Sequence, residues 1–187
     1  MQTPILGEAR FASTQSHTIS DDIRIPERIA IGADPGLQFE LAGPRAKLFF
    51  DAKQTRAGIV TCGGLCPGLN NVIRSVFLEL HYGYGVGEVL GFRGGYSGLD
   101  PACDLEPVRI TPQFVDGIHQ KGGSILSSSR GPVDVNRAVY NLIARGVNVL
   151  FTVGGDGTQR GANELYQEAR RRGHRDQLYL RGNGIRS

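Results

Sequence analysis

The sequence predicts an α/β fold: a Rossmann-like open parallel sheet with helices on both faces. Three observations carry this. Short apolar runs rich in β-branched residues, "AGIVTC" and "VNVLFTV", end abruptly in glycine clusters. An amphipathic pattern of helical period follows each cluster. Strand-type and helix-type segments then alternate along the chain, which favours parallel pairing through right-handed crossovers.

The elements follow in order. Residues 1–55 hold several prolines and no sustained period, and read as an N-terminal arm that packs on a body or a partner. Residues 56–173 form the main body. "AGIVTC" is a buried strand, and after its glycines Val72, Val76 and Leu80, with Ile73 and Phe77 beside them, recur at helical spacing. "GEVLGFR" is a second strand and "GGYSGLDPACD" the loop after it. Thr111 and Pro112 are a good N-cap and first helical position, so "TPQFVDGIHQKG" reads as a short helix stopped by Gly122. "GGSILSSSRG" reads as a short strand ending in a polar turn. Pro132 opens a helix in which Val135, Val139 and Leu142 share a face. "VNVLFTV" is the clearest buried strand; after "GGDGT" comes a helix with Ala162, Leu165 and Ala169 on one side and arginines in its last turn, where they suit the helix dipole. Residues 174–187 are an atypical tail, "HRDQLYLRGNGIRS", with no apolar strand.

Composition narrows the function. Apolar residues at 40% and charged residues at 21% indicate a globular chain rather than a fibrous or disordered one. A net charge of +3, with no Lys/Arg run interleaved with aromatics, points away from nucleic acid. No apolar run reaches the roughly 18 residues that span a bilayer, and no basic-then-apolar leader opens the sequence, so neither a membrane nor a signal peptide is expected. Cys62, Cys66 and Cys103 form no CxxC pair and read as reduced thiols of a cytoplasmic protein.

Ligands of open parallel sheets bind beyond the carboxyl ends of the strands, which places Gly63–Gly68 and Gly154–Gly157 on one rim. Glycines there let bare backbone approach a bulky anion while N–H groups at the next helix start point toward it. Gly63, Gly64 and Gly68 therefore read as a phosphate cradle; the plain alternative is a tight turn with no ligand. Neither the Gly-x-x-x-x-Gly-Lys-Ser/Thr pattern nor the dinucleotide Gly-x-Gly-x-x-Gly spacing is present in this turn. Asp156, between glycines at the end of an apolar strand, suits magnesium, which takes one or two carboxylates plus substrate phosphate oxygens. Its alternative is a simple N-cap or turn residue. Thr158 can cap the next helix and donate to a phosphate. Arg130 in "SSSRG" can neutralise phosphate charge, although a lone arginine in a polar turn is commonly a solvated surface residue.

"GGLCPGLNNVIR" (63–74), "GFRGGYSGL" (91–99), "GGSILSSSRG" (122–131) and "GGDGTQRGA" (154–162) resemble, in order and approximate spacing, successive signature segments of the phosphofructokinase family. The first and last are specific as a set; GGDG alone also occurs in NAD and diacylglycerol kinases. The resemblance covers about Arg56–Gly173. It implies phosphoryl transfer from Mg-ATP to fructose 6-phosphate in glycolysis, with Mg2+ as the metal and homo-oligomers among intact relatives. It implies ATP contacts at Gly64, Arg130, Gly131, Gly155, Asp156, Gly157 and Thr158, nucleotide-side packing for Tyr96, and a metal role for Asp156. Glycine after the aspartate goes with ATP in this family and a second aspartate with pyrophosphate, so Gly157 favours ATP; a carboxylate there would occupy the α-phosphate position.

The sequence also departs from the family. Leu78 stands where bacterial members carry a basic effector contact, and "LDPACD" lacks the second effector arginine, so the usual effector control is not expected. Gly131 replaces an aromatic residue near the adenine. The family's Thr-Ile-Asp-Asn-Asp segment, whose aspartate is the base on the sugar hydroxyl, has no counterpart in residues 174–187, and the sugar phosphate site is largely missing. The tail reads as the product of truncation or a shifted frame. The sheet is accordingly expected to be incomplete: a nucleotide-binding front without its catalytic back, and no catalytic base is identified. The competing readings are a pyrophosphate-dependent enzyme and a non-catalytic nucleotide-binding or regulatory chain.

Overall fold

The structure, a computed structural model, describes residues 17–19, 38–40, 50–64, 66–129, 131–174 and 179–184. The chain divides into two compact units, Met1–Phe49 and Phe50–Ser187. In the first, β1 (His17–Ile19) pairs antiparallel with β2 (Gln38–Glu40), a pairing that the aperiodic sequence did not announce.

The second unit carries a five-stranded sheet. Its strands are β3 (Arg56–Thr61), β4 (Glu88–Phe92), β5 (Val108–Arg109), β6 (Val149–Gly154) and β7 (Tyr179–Gly184), in the spatial order β5-β4-β3-β6-β7. The pairs β3/β4 and β3/β6 are parallel, as expected, and β6/β7 is parallel too. The pair β4/β5 is antiparallel and only two residues long, too short to leave an alternating signature.

Successive residues of a strand face opposite sides, and here the two sides hold separate cores. Ala57 and Ile59 of β3 face α1 (Leu69–Leu78) and α2 (Pro112–Val115) through Ile73, Phe77 and Val115. Val60 of β3 and Leu150 of β6 face α3 (Val135–Ala144) and α4 (Asp156–Arg171) through Val139, Leu142, Leu165 and Ala169. Helices on both faces are therefore present. The buried stripe of α4 is the predicted one, whereas that of α1 is Leu69, Ile73 and Phe77 rather than Val72, Val76 and Leu80, which are half-buried. The difference is a rotation of the helix by about one residue, within the width of an apolar face.

Four further expectations are corrected. "GGSILSSSRG" forms no strand among its described residues; Ser127 has a left-handed φ of 58°, and a turn runs from Ser124 to Ser127. The α3 helix starts at Val135 rather than at Pro132, because the Asp134 side chain accepts a hydrogen bond from the Arg137 N–H and so makes Asp134 the N-cap. The helix expected over "TPQFVDGIHQKG" breaks at Asp116, whose backbone is extended, and resumes as one 3-10 turn at Ile118–Gln120. Residues 179–184 of the tail form β7, in register with β6 from Val149↔Tyr179 to Gly154↔Gly184. A strand containing Arg, Gly, Asn and Gly is invisible to an apolar pattern because its backbone, not its side chains, satisfies the pairing.

Candidate nucleotide site at the glycine rim

The strands β3 and β6 end side by side. Thr61 lies opposite Val153, and the Cys62 N–H continues the ladder by donating to the Val153 carbonyl at 2.9 Å. The two glycine turns therefore leave the sheet together. They also touch: a Cβ on Gly154 would lie 2.6 Å from the Cys62 carbonyl oxygen and 2.2 Å from Thr158 Oγ1, so a side chain has no room there. Thr158 is 4% exposed, wedged between the Gly154 turn and Gly63, whose Cβ would lie 3.8 Å from the same oxygen.

Each turn opens a helix whose start is not capped by a side chain. The N-cap of α1 is Gly68, in the left-handed region at φ 94°, and the N-cap of α4 is Gly155. The other two α-helices described in this unit are capped by side chains: Thr111 accepts from the Phe114 N–H at 3.1 Å and Asp134 from the Arg137 N–H at 3.0 Å. The first N–H groups of a helix need an acceptor, and where no side chain supplies one, water or an anionic ligand does. Asp156 is the first helical residue of α4 and not its cap, which removes the plain reading of it as an N-cap. Gly64, Gly155, Asp156 and Gly157 are all exposed, and Cβ atoms on Gly155 or Gly157 would meet open space.

The third strand end, after β4, is tied to the same place. The Tyr96 hydroxyl donates to the Thr158 carbonyl at 2.6 Å, and its ring covers Gly161, where a Cβ would come within 2.5 Å of Tyr96 Cε2. The serine segment joins through hydroxyl groups. Ser128 donates to the Gly63 carbonyl at 3.0 Å, Ser129 to the Gly94 carbonyl at 2.7 Å, and Ser97 and Ser129 lie 3.0 Å apart, Oγ to Oγ. Beneath them Thr61 Oγ1 donates to the Ser127 carbonyl at 2.8 Å, and Asn70 of α1 bridges the Lys121 carbonyl and the Ile125 N–H. Arg130 itself lies outside the described residues; its predecessor Ser129 is fixed at the rim, and Gly131 is exposed with no side chain near it.

Of the residues expected at the site, the structure thus brings Tyr96 and Thr158 into contact, within the turn that holds Gly155–Gly157. It sets Gly64 beside Gly63 and leaves open space where a Cβ on Gly131 would lie. Sequence reasoning passed over Ser128, Ser129, Asn70 and Gly161. The signal was present in the serine triplet, which sits where a strand edge would have to use backbone instead.

Under the rim the floor is neutral. Burial pushes the Cys62 thiol up to about 12, and burial also raises the Tyr96 hydroxyl, with Cys62 as a lesser cause. Both groups stay protonated at neutral pH and add no negative charge beneath a prospective anion. Among the described residues no group of three His, Cys, Asp or Glu side chains could cage a metal. One exposed carboxylate at an uncapped helix start fits a hard cation that arrives already bound to phosphate oxygens. No helix of the described residues is long and apolar enough to cross a membrane.

Comparison with known proteins places this geometry. The family model described as Phosphofructokinase matches residues 56–180. An ATP-dependent 6-phosphofructokinase of Entamoeba histolytica is 53% identical over 135 residues, covering 72% of this chain and 31% of its own length. An ATP-dependent 6-phosphofructokinase of Arabidopsis thaliana is 40% identical over 171 residues, covering 90% of this chain and 35% of its own length. The chain thus spans about a third of these relatives. Among solved structures, Pichia pastoris phosphofructokinase in the T-state superposes with a TM-score of 0.59 at 26% identity, over 77% of this chain and 17% of that one. A pyrophosphate-dependent phosphofructokinase from Marinobacter aquaeolei gives a TM-score of 0.60 at 20% identity, over 68% of this chain and 32% of its own, a likeness of fold alone.

Proposed function

Since the chain belongs to the phosphofructokinase family, we propose that its glycine rim binds the phosphates of Mg-ATP, the donor from which the whole enzyme phosphorylates the 1-hydroxyl of fructose 6-phosphate. The observation that carries the reading is that the glycine turns after β3 and β6 leave the sheet side by side and touch at Thr158, each leading into a helix start without a side-chain cap, at Gly68 and at Gly155. A polyphosphate laid across them would accept from both sets of N–H groups at once.

In this reading Gly64 and Gly155–Thr158 give the phosphates close backbone approach, and Arg130 and Gly131 complete the cradle from the serine segment. Asp156 would hold the magnesium, which supplies charge neutralisation on the phosphate oxygens. The Gly157 position, open and free of charge, leaves room for a nucleotide's α-phosphate and favours ATP over pyrophosphate. No residue of this chain is proposed as the base on the sugar hydroxyl. General-base assistance contributes roughly 100- to 10,000-fold, so the chain alone is expected to turn over very weakly while still binding its donor.

The test is calorimetric titration of the purified chain with Mg-ATP, Mg-pyrophosphate and ATP without metal, beside Asp156→Ala. Magnesium-dependent ATP binding that the variant loses supports the reading. A folded chain that binds none of them sinks it, and tighter binding of pyrophosphate than of ATP replaces it with the pyrophosphate-dependent alternative.

A further inference from the structure

Four elements meet at Tyr96. Its hydroxyl donates to the Thr158 carbonyl of α4 at 2.6 Å. Its ring packs on the core cluster that contains Val60 of β3, the neighbouring Cys62 and Leu150 of β6. Its ring lies on Gly161, one turn further along α4, in the space a Cβ would need. The resemblance alone implied that this side chain packs on the nucleotide. In the structure the hydroxyl donates to Thr158 and the ring is laid against the helix at Gly161.

Converging two sets of helix N–H groups on one polyphosphate demands a fixed spacing, because hydrogen bonds weaken steeply with lost alignment. The Gly63 turn follows β3, and the Gly155 turn belongs to α4. A phenol attached to the β4 loop, packed on the cluster shared by β3 and β6 and donating to the first turn of α4, sets that spacing. Gly161 is then required by Tyr96 rather than by a ligand, which accounts for the last glycine of "GGDGTQRG".

We infer that Tyr96 is a positioning residue for the phosphate cradle, holding the first turn of α4 against the β3 turn through the Thr158 carbonyl and Gly161. The inference rests on the reading of the rim as a polyphosphate site and names one of its supports. Because it acts on the cradle, its loss weakens every polyphosphate ligand alike, with or without a nucleoside.

The experiment uses the full chain as wild type, Tyr96→Phe, Gly161→Ala and the exposed-surface control Tyr140→Phe. Each is titrated with Mg-ATP and with Mg-tripolyphosphate, and amide exchange is followed in the absence of ligand. Tyr96→Phe keeps the ring and the fold and removes only the donor. It is expected to weaken both ligands by the same factor, about three- to tenfold, and to speed exchange at residues 159–162 while the amides of β3 and β6 keep their protection. Gly161→Ala is expected to act in the same direction; if it does not fold, Tyr96→Phe carries the test. Weaker ATP with unchanged tripolyphosphate would make Tyr96 a nucleoside contact and overturn the inference. A uniform rise in exchange across the sheet would make it an ordinary core residue and overturn it equally. If wild type binds neither ligand, the polyphosphate reading fails, and the exchange result alone decides whether Tyr96 positions α4.

Discussion

The Arg137 guanidinium holds both oxygens of the Asp100 carboxylate, Nε to Oδ1 at 2.9 Å and Nη2 to Oδ2 at 2.7 Å, and so ties the loop that follows Tyr96 to α3. The Arg137 hydrogen bonds, helped by the Ala102 N–H, keep the Asp100 carboxyl below the usual carboxylate range. The unfolded chain therefore takes up this proton first. The pair stabilises the fold fully above the unfolded value of about 4 and loses that contribution as pH falls through the lowered folded value.

Acid melting checks this. The thermal midpoint should fall as pH drops from about 5 toward about 2, and Asp100→Asn should melt lower at neutral pH with a flatter acid slope. Glu168, held down to about 2 by Arg171 and Arg172, has the same sign and is separated by Glu168→Gln. An unchanged acid slope in Asp100→Asn would show that the pair contributes nothing.

Two glycines of the Asp156 turn, Gly154 and Gly157, should behave oppositely. Gly154→Ala places a methyl group against the Cys62 carbonyl and the Thr158 side chain and is expected to cost about 1–3 kcal/mol, along with ATP binding. Gly157→Ala meets open space in a helix, so denaturation should find it unchanged or up to ~1 kcal/mol more stable. Equal loss of stability in both variants would mean that the two turns do not pack as described.

Leu165 is fully buried in the cluster shared by α3, α4 and the sheet. Truncation to alanine should cost about 2–5 kcal/mol, read as a lower denaturant midpoint with an unchanged slope. A change below ~1 kcal/mol would place the residue outside the core.

The thiols differ in reach. Cys103 is exposed, Cys66 half-buried, and Cys62 buried with its thiol pushed up to about 12. Only the thiolate reacts, so at pH 8 Cys62 is active in roughly one part in ten thousand even before access is counted. A colorimetric thiol assay should find Cys103 first, Cys66 next, and Cys62 only on unfolding; early labelling of Cys62 contradicts the buried floor.

How much of this was legible follows from what each signal measures. The glycine clusters after β3 and β6 were readable as adjacent strand ends because parallel topology forces them to one rim, and Gly154 is there because nothing larger fits. The α4 face was readable from Ala162, Leu165 and Ala169. By contrast β5 is two residues long, and β7 carries Arg181, Gly182 and Asn183, so neither has a pattern to find. The serine segment misled because β-type residues were satisfied by hydroxyl and amide groups from Thr61, Asn70 and Ser124 instead of by a ladder. Tyr96 and Thr158 are 62 positions apart, a separation at which only the folded chain shows the bond.

The hydroxyl attachment of Ser128 and Ser129 bears on how this rim can vary. In a strand, adding or removing one residue turns every following side chain to the other face, so the length of β3 or β6 is fixed by the cores on both sides. A ribbon fastened at separate points by serine side chains has no such parity. It can gain or lose a residue between fastenings and leave both cores untouched, so the segment leading to Arg130 is the edge of the rim where insertions are tolerated and the two glycine turns are the edges where they are not.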